Sequence, residues 1–257
     1  TADTLAAMEA ATEKKTHLVW VGENEGSQAD RMAKGTLLIH AGQEIAVAST
    51  KTAVNTAIVL YMLALYIGHI RGGIDRKEER RAVNELAQLP GMMGEVLRME
   101  NRCRKLARRV MDKQHLLYLG RGPTLPSALE GALKMKEVAY IHAEGYAAGE
   151  MKHGVNALIS AEMPTIALVP NNHLYSKMIG NVNEVKARGG DVMALLTEGD
   201  KIISVIADEA LYLPEASEYV APILSLVPMQ LLAYHAAVLL GLDPDKPRNL
   251  AKTVTVE

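Results

Sequence analysis

The chain has 257 residues, enough for one large domain or two modest ones. Apolar residues make up 49% of it, so a substantial core is within reach, and 28 Lys+Arg against 30 Asp+Glu leave a net charge of −2. No basic stripe stands out, so a nucleic-acid partner is not expected. The single cysteine, Cys103, rules out an intrachain disulfide and a multi-cysteine metal site, and it fits a reduced, cytoplasmic compartment.

In chain order, "TADTLAAMEAATEKK" reads as a helix and has no apolar core of the kind a secretory signal needs. Short β-rich runs follow at 17–22 and 36–41, then a long apolar helix over roughly 48–71. Its most apolar part, 57–70, is 14 residues long. A membrane span needs about 20, so a buried helix and no membrane partner are expected. A charged stretch, 74–113, is patterned as helix with a break expected at Pro90-Gly91. The pattern then restarts. Strand 115–120 ends in the glycine turn "GRG", and a helix occupies about 125–141. Strands are expected at 165–170, 191–196 and 210–214, with a helix near 172–188, and a second long apolar helix covers about 220–240. The chain contains no Phe, so Leu, Met and Tyr must fill the core.

Alternating strands and helices predict an α/β fold with parallel sheets. The halves look like copies, giving a first unit at 1–73, a helical connector at 74–113, a second unit at 114–242 and a tail at 243–257. The second copy has a strand and glycine loop before its first helix and the first has none, so that strand and loop are expected to be missing from the first copy. Such loops are where open α/β sheets bind ligands.

Three places carry chemistry. On helix 126–143, Glu130, Lys134 and Glu137 stand at i, i+4 and i+7 and so share one stripe. Spacing alone describes a solvated ion-pair face. The helix also follows a strand-to-glycine junction, where free N–H groups face anions, and that places the carboxylates within reach of a bound sugar. His153 lies in the small-residue stretch "EGYAAGEMKHG". It reads either as an exposed loop histidine or as an imidazole near its ordinary pKa, available for proton transfer. The tail "DPDKPRNLAKTVTVE" carries Lys252, an amine able to form a Schiff base. No metal site and no nucleotide fingerprint are legible, and no cofactor is expected.

The strings "LYLGRGPTLPSALEGALKMKEVAYIHAEGYAAGEMKHGVNALIS", "HAGQEIAVASTKTAV" and "PRNLAKTVTVE" resemble, together and in order, the isomerase half of the glucosamine-6-phosphate synthase family. The resemblance spans essentially the whole chain. It implies two SIS (sugar-isomerase) subdomains, the first without its first strand and phosphate loop. The implied reaction turns fructose 6-phosphate and ammonia into glucosamine 6-phosphate, within a homodimer whose full-length subunit has an upstream glutaminase domain.

By the same resemblance Glu137 is the acid/base, Lys134 stabilises the enolate-like intermediate and Glu130 is a further site carboxylate. His153 opens the sugar ring from the neighbouring subunit, and Lys252 forms the Schiff base. Val47, Ser49 and Ala251 line the sugar pocket, and Thr1 is what remains of the phosphate loop. Val155 and Asn156 depart from the family's usual Pro-Leu after "KHG". Two alternatives stay open: a non-catalytic SIS module that only senses sugar phosphates, and another SIS aldose–ketose isomerase.

Overall fold

A computed structural model describes residues 2–252. The chain divides into two compact units, one of residues up to Glu79 together with those from Asp245, the other Arg80–Pro244. Residues 80–113, part of the connector expected from sequence, cluster with the second unit.

The second unit is built on five parallel strands: β3 (His115–Gly120), β4 (His142–Ala147), β5 (Thr165–Val169), β6 (Val192–Thr197) and β7 (Glu209–Leu213), in the order β4-β3-β5-β6-β7. The inner strands are apolar on both faces because both are covered. One face, with Leu117, Leu119, Ala167, Val169, Ala194 and Leu196, packs on Met178, Val182 and Val185 of α7 (Tyr175–Lys186). On the other face, α6 (Leu125–Ala139) packs against β3, β4 and α8 (Ala221–Leu239), and α8 against α5 (Glu100–Val110). A Cβ on Gly131 of α6 would meet the Tyr118 ring at 2.9 Å and Met229 at 3.1 Å, so helix and sheet close on each other here.

Two expectations are corrected in this unit. α4 (Arg76–Leu97) runs through Pro90 without a break. The proline removes one helical hydrogen bond and costs about 3 kcal/mol. Ala82, Leu89 and Val96, seven residues apart, are all buried on one stripe, and that burial holds the helix across the proline. The small-residue stretch 144–154, for which a loop is one reading, is instead the end of strand β4 followed by a 3-10 turn, Ala148–His153. Gly145 is required there by close packing: a Cβ would lie 2.6 Å from the Leu129 Cα.

The first unit contains α1 (Ala2–Glu13), β1 (Val19–Gly22), the short α2 (Gln28–Met32), β2 (Gly35–Leu38) and α3 (Lys51–Ile70). β1 and β2 pair in parallel. The expectation that α3 is buried is corrected, since Val54 is its one buried residue and Leu60, Met62, Tyr66, Ile67 and Ile70 are exposed. A two-stranded sheet offers too little surface to cover a 20-residue helix. By length and composition α3 and α8 are each apolar enough to cross a membrane; α8 is mostly buried and α3 is not.

Candidate active site

The strand order of the second sheet reverses at β3, with β4 on one side and β5 on the other. Crevices that bind ligands form at such a switch, beyond the carboxyl ends of the strands. The residues leaving β3 at that end are Gly120, Arg121 and Gly122. A Cβ on Gly120 would sit 2.4 Å from the Thr124 carbonyl oxygen, and Gly122 has φ +56°, so this tight turn into α6 needs both glycines. Arg121 is tied down by Nη1 donating to Asn181 Oδ1 at 3.1 Å. Asn181 in turn donates to the Ala148 carbonyl at 2.8 Å, at the start of the turn that carries His153.

α6 brings Glu130, Lys134 and Glu137 together. Lys134 Nζ lies 2.5 Å from Glu137 Oε2 and 3.3 Å from Glu130 Oε1. The spacing alone described a solvated stripe, and burial corrects that: only 4% of the Lys134 side chain is exposed and 22% of each carboxylate side chain. A buried lysine persists when carboxylates surround it. Burial is also the main force on Glu130, lifting its carboxyl above the ordinary range; Lys134 opposes this and the Glu137 charge adds to it. One cation and two carboxylates leave a net charge of −1, so a carboxylate of the set can accept a proton without creating an uncompensated charge. α6 is locked to α8 by Ser127 Oγ, which donates to the buried Pro222 carbonyl at 2.8 Å.

His153 ends the 3-10 turn with 74% of its side chain exposed and its Nε2 3.8 Å from Glu150 Oε2. Among the described residues it pairs with Glu150 and not with the α6 triad. Lys152 turns away to Glu184 at 3.3 Å.

Val47, Ser49, Ala251 and Lys252 belong to the first unit. The loop before α3 holds the first two and also seats the tail: Val47 N donates to the Asp245 carbonyl at 3.1 Å. Lys252 Nζ donates to the Ala46 carbonyl at 2.7 Å and also to the Glu44 carbonyl. Ala251 is exposed beside it. Thr1 lies outside the described residues.

Glu44 was not singled out from the sequence. Its Oε1 accepts from Thr50 N at 2.9 Å, Thr50 Oγ1 at 2.7 Å and Lys51 N at 2.8 Å, and its Oε2 accepts from Thr52 Oγ1 at 2.5 Å. Partial burial alone would raise this carboxyl, but the hydrogen bonds win and hold it down at about 2. The available signal was an acidic residue just upstream of a Ser-Thr helix start, in "QEIAVASTK".

Cys103 is buried, which pushes its thiol up to about 11 and makes it a poor nucleophile. Among the described residues no three His, Cys, Asp or Glu side chains are grouped to hold a metal ion.

A family model for the SIS domain matches residues 110–240, and the chain belongs to the SIS-domain family. Over its whole length it is similar to isomerizing glutamine–fructose-6-phosphate aminotransferases. It is 48% identical over 257 residues to that of Bacteroides thetaiotaomicron, covering 100% of this chain and 42% of the relative. It is 45% identical to one from Thermus thermophilus, with the same coverage of 100% and 42%. Its structure is similar to the C-terminal domain of glucosamine-fructose-6-phosphate aminotransferase from Francisella tularensis, with TM-score 0.91, 32% identity, 96% of this chain and 70% of that one covered. The chain thus spans 42% of the length of the curated relatives it matches.

Proposed function

We propose that this chain is the sugar-phosphate isomerase half of a glucosamine-6-phosphate synthase, acting in the cytoplasm. It would comprise SIS subdomains at 1–73 and 114–242, joined by 74–113 and closed by the tail 243–257. Its substrate is fructose 6-phosphate and its product glucosamine 6-phosphate, with ammonia delivered from a glutaminase domain of the full-length enzyme. The observation that carries the reading is the buried Glu130–Lys134–Glu137 triad on the helix that leaves the sheet's switch point.

The chemistry follows from that arrangement. His153 is donated across a homodimer interface and opens the sugar ring by moving a proton between hydroxyl and ring oxygen. Its high exposure in one chain supports such a role. The Lys252 amine condenses with the open-chain C2 carbonyl, losing water, and ammonia displaces it to leave the C2 imine. Glu137 then takes the C1 proton, and the electron pair forms a C1–C2 double bond. The same carboxyl returns the proton to C2, while the C1 hydroxyl proton passes to the imine nitrogen, leaving an aldehyde at C1 and an amine at C2. Lys134, fixed 2.5 Å from Glu137, offsets the negative charge that develops in between. Glu130, 3.3 Å from Lys134 on its other side, completes the compensated set. Val47, Ser49 and Ala251 line the sugar pocket, and Thr1 contributes to phosphate binding.

The test is deuterium entry at C1 of fructose 6-phosphate in D₂O without ammonia, followed by NMR. Glu137→Gln should slow exchange by about 10²–10⁴-fold while sparing sugar binding. Full exchange in that variant would remove Glu137 as the acid/base.

A further inference from the structure

Glu44 makes four hydrogen bonds in the loop before α3, yet the reaction above leaves it idle. The same residue offers its backbone carbonyl to the Lys252 ammonium, and Ala46, two residues on, offers another. Just beyond them stand Val47 and Ser49. One side chain therefore fixes the shape of a segment whose main chain holds the tail lysine.

We propose that Glu44 is a positioning residue: by clamping the N-terminus of α3 it shapes the seat on which residues 44–46 hold Lys252, and through Thr52 it fixes the Ser49 O–H so that the Ser49 lone pairs are left to accept from a ligand. The meaning of that seat for turnover rests on Lys252 being the Schiff-base amine.

The clamp works because the first N–H groups of a helix have no partner within the helix and favour an anion. Glu44 supplies one for Thr50 and Lys51, from outside the helix. With those bonds made, the chain must turn between 44 and 50, and the Glu44 and Ala46 carbonyls face Lys252. The hydroxyl chain has a fixed direction. Thr52 has one O–H, and it is given to the ionised Glu44 carboxylate. Ser49 Oγ also touches Thr52 Oγ1, so Ser49 must be the donor of that pair. Its lone pairs are then left to accept a hydrogen bond, which suits a sugar hydroxyl. The neutral amide introduced by Glu44→Gln would keep the shape but weaken the charge-assisted bonds.

The seat is measured by brief acetic anhydride labelling of the full chain without sugar, read by mass spectrometry, with exposed Lys201 as internal reference. In Glu44→Ala, Lys252 should label about threefold or more faster relative to Lys201, because its ammonium has lost two fixed acceptors. Glu44→Gln should fall between wild type and Glu44→Ala, and it carries the test alone if the alanine variant does not fold. Thermal unfolding followed by circular dichroism identifies a general loosening, which would raise labelling at all lysines. Unchanged Lys252 labelling in a folded Glu44 variant overturns the proposal.

The catalytic meaning is read separately, by borohydride trapping of fructose 6-phosphate on Lys252. Trapping in wild type that drops several-fold in Glu44→Gln, with apparent sugar affinity less affected, is the expected result. Faster labelling with no trapping even in wild type would leave the seat intact and overturn the role of Lys252 instead.

Discussion

The two units hold their candidate site residues by opposite means. In the second, a five-stranded sheet with buried central strands and the mostly buried α8 leave only 4% of the Lys134 side chain exposed, with two carboxylates beside it. In the first, α3 buries only Val54, and the loop with Val47 and Ser49 is organised by a carboxylate, hydroxyls and main-chain groups. Hydrophobic packing permits one geometry and tolerates charge only in compensated sets. A polar loop is held by bonds whose strength depends on ionisation. The two units should therefore fail under different stresses.

The largest effect is expected where the compensated set is broken. Lys134→Met removes the cation and leaves two half-buried carboxylates facing each other. Urea unfolding near pH 7 should show a loss of about 3 kcal/mol. The loss should shrink in Lys134→Met/Glu137→Gln, which removes one of the repelling charges. A single variant as stable as wild type would mean that the triad is solvated and not part of the core.

The same contrast explains what was legible in the sequence. β3, β5, β6 and β7 stand out as apolar runs because both of their faces are covered. β4 does not: like β7 it lies at an edge, but "HAEGYA" is short of apolar side chains, and α6 packs so close that Gly145 has no room for a Cβ. Pro90 looked like a helix end because local propensity ignores the buried stripe of Ala82, Leu89 and Val96. At the site, spacing put Glu130, Lys134 and Glu137 on one face of α6, but only packing shows which way that face turns. Glu44 was hidden because its partners are main-chain N–H groups across a loop, and no side-chain periodicity marks such a contact.

An intermediate effect is expected from acid on the first unit. The Glu44 carboxyl is held at about 2, below its ordinary 4.5. Its contribution to stability is thus fully present above pH 4.5 and is lost as pH falls through about 2. Discounted for its partial exposure, that contribution is about 1–2 kcal/mol. Trp20, the only tryptophan, lies in β1 and reports on this unit. The gap in unfolding midpoint between wild type and Glu44→Gln, followed by Trp20 fluorescence, should be widest near pH 6 and close toward pH 2. A gap that stays constant with pH would mean that side-chain shape, and not ionisation, sets the clamp.

The smallest effect on stability, and the most telling, belongs to His153. Its side chain is 74% exposed and its only described ion pair is a 3.8 Å approach to an exposed Glu150. His153→Ala should therefore change unfolding free energy by no more than about 0.5 kcal/mol. Under the proposed function the same variant should lose turnover of the cyclic sugar, because ring opening has lost its proton carrier. Subunit donation adds a sharper test. Mixing Glu137→Gln and His153→Ala chains lets half of the dimers combine one of each, and every such dimer has one site with both groups intact. Activity should then return to about a quarter of wild type after subunit exchange. If each variant is inactive and the mixture stays so despite demonstrated exchange, His153 serves the site of its own chain, and its exposure here must be closed by movement of the Ala148–His153 turn instead of by a partner.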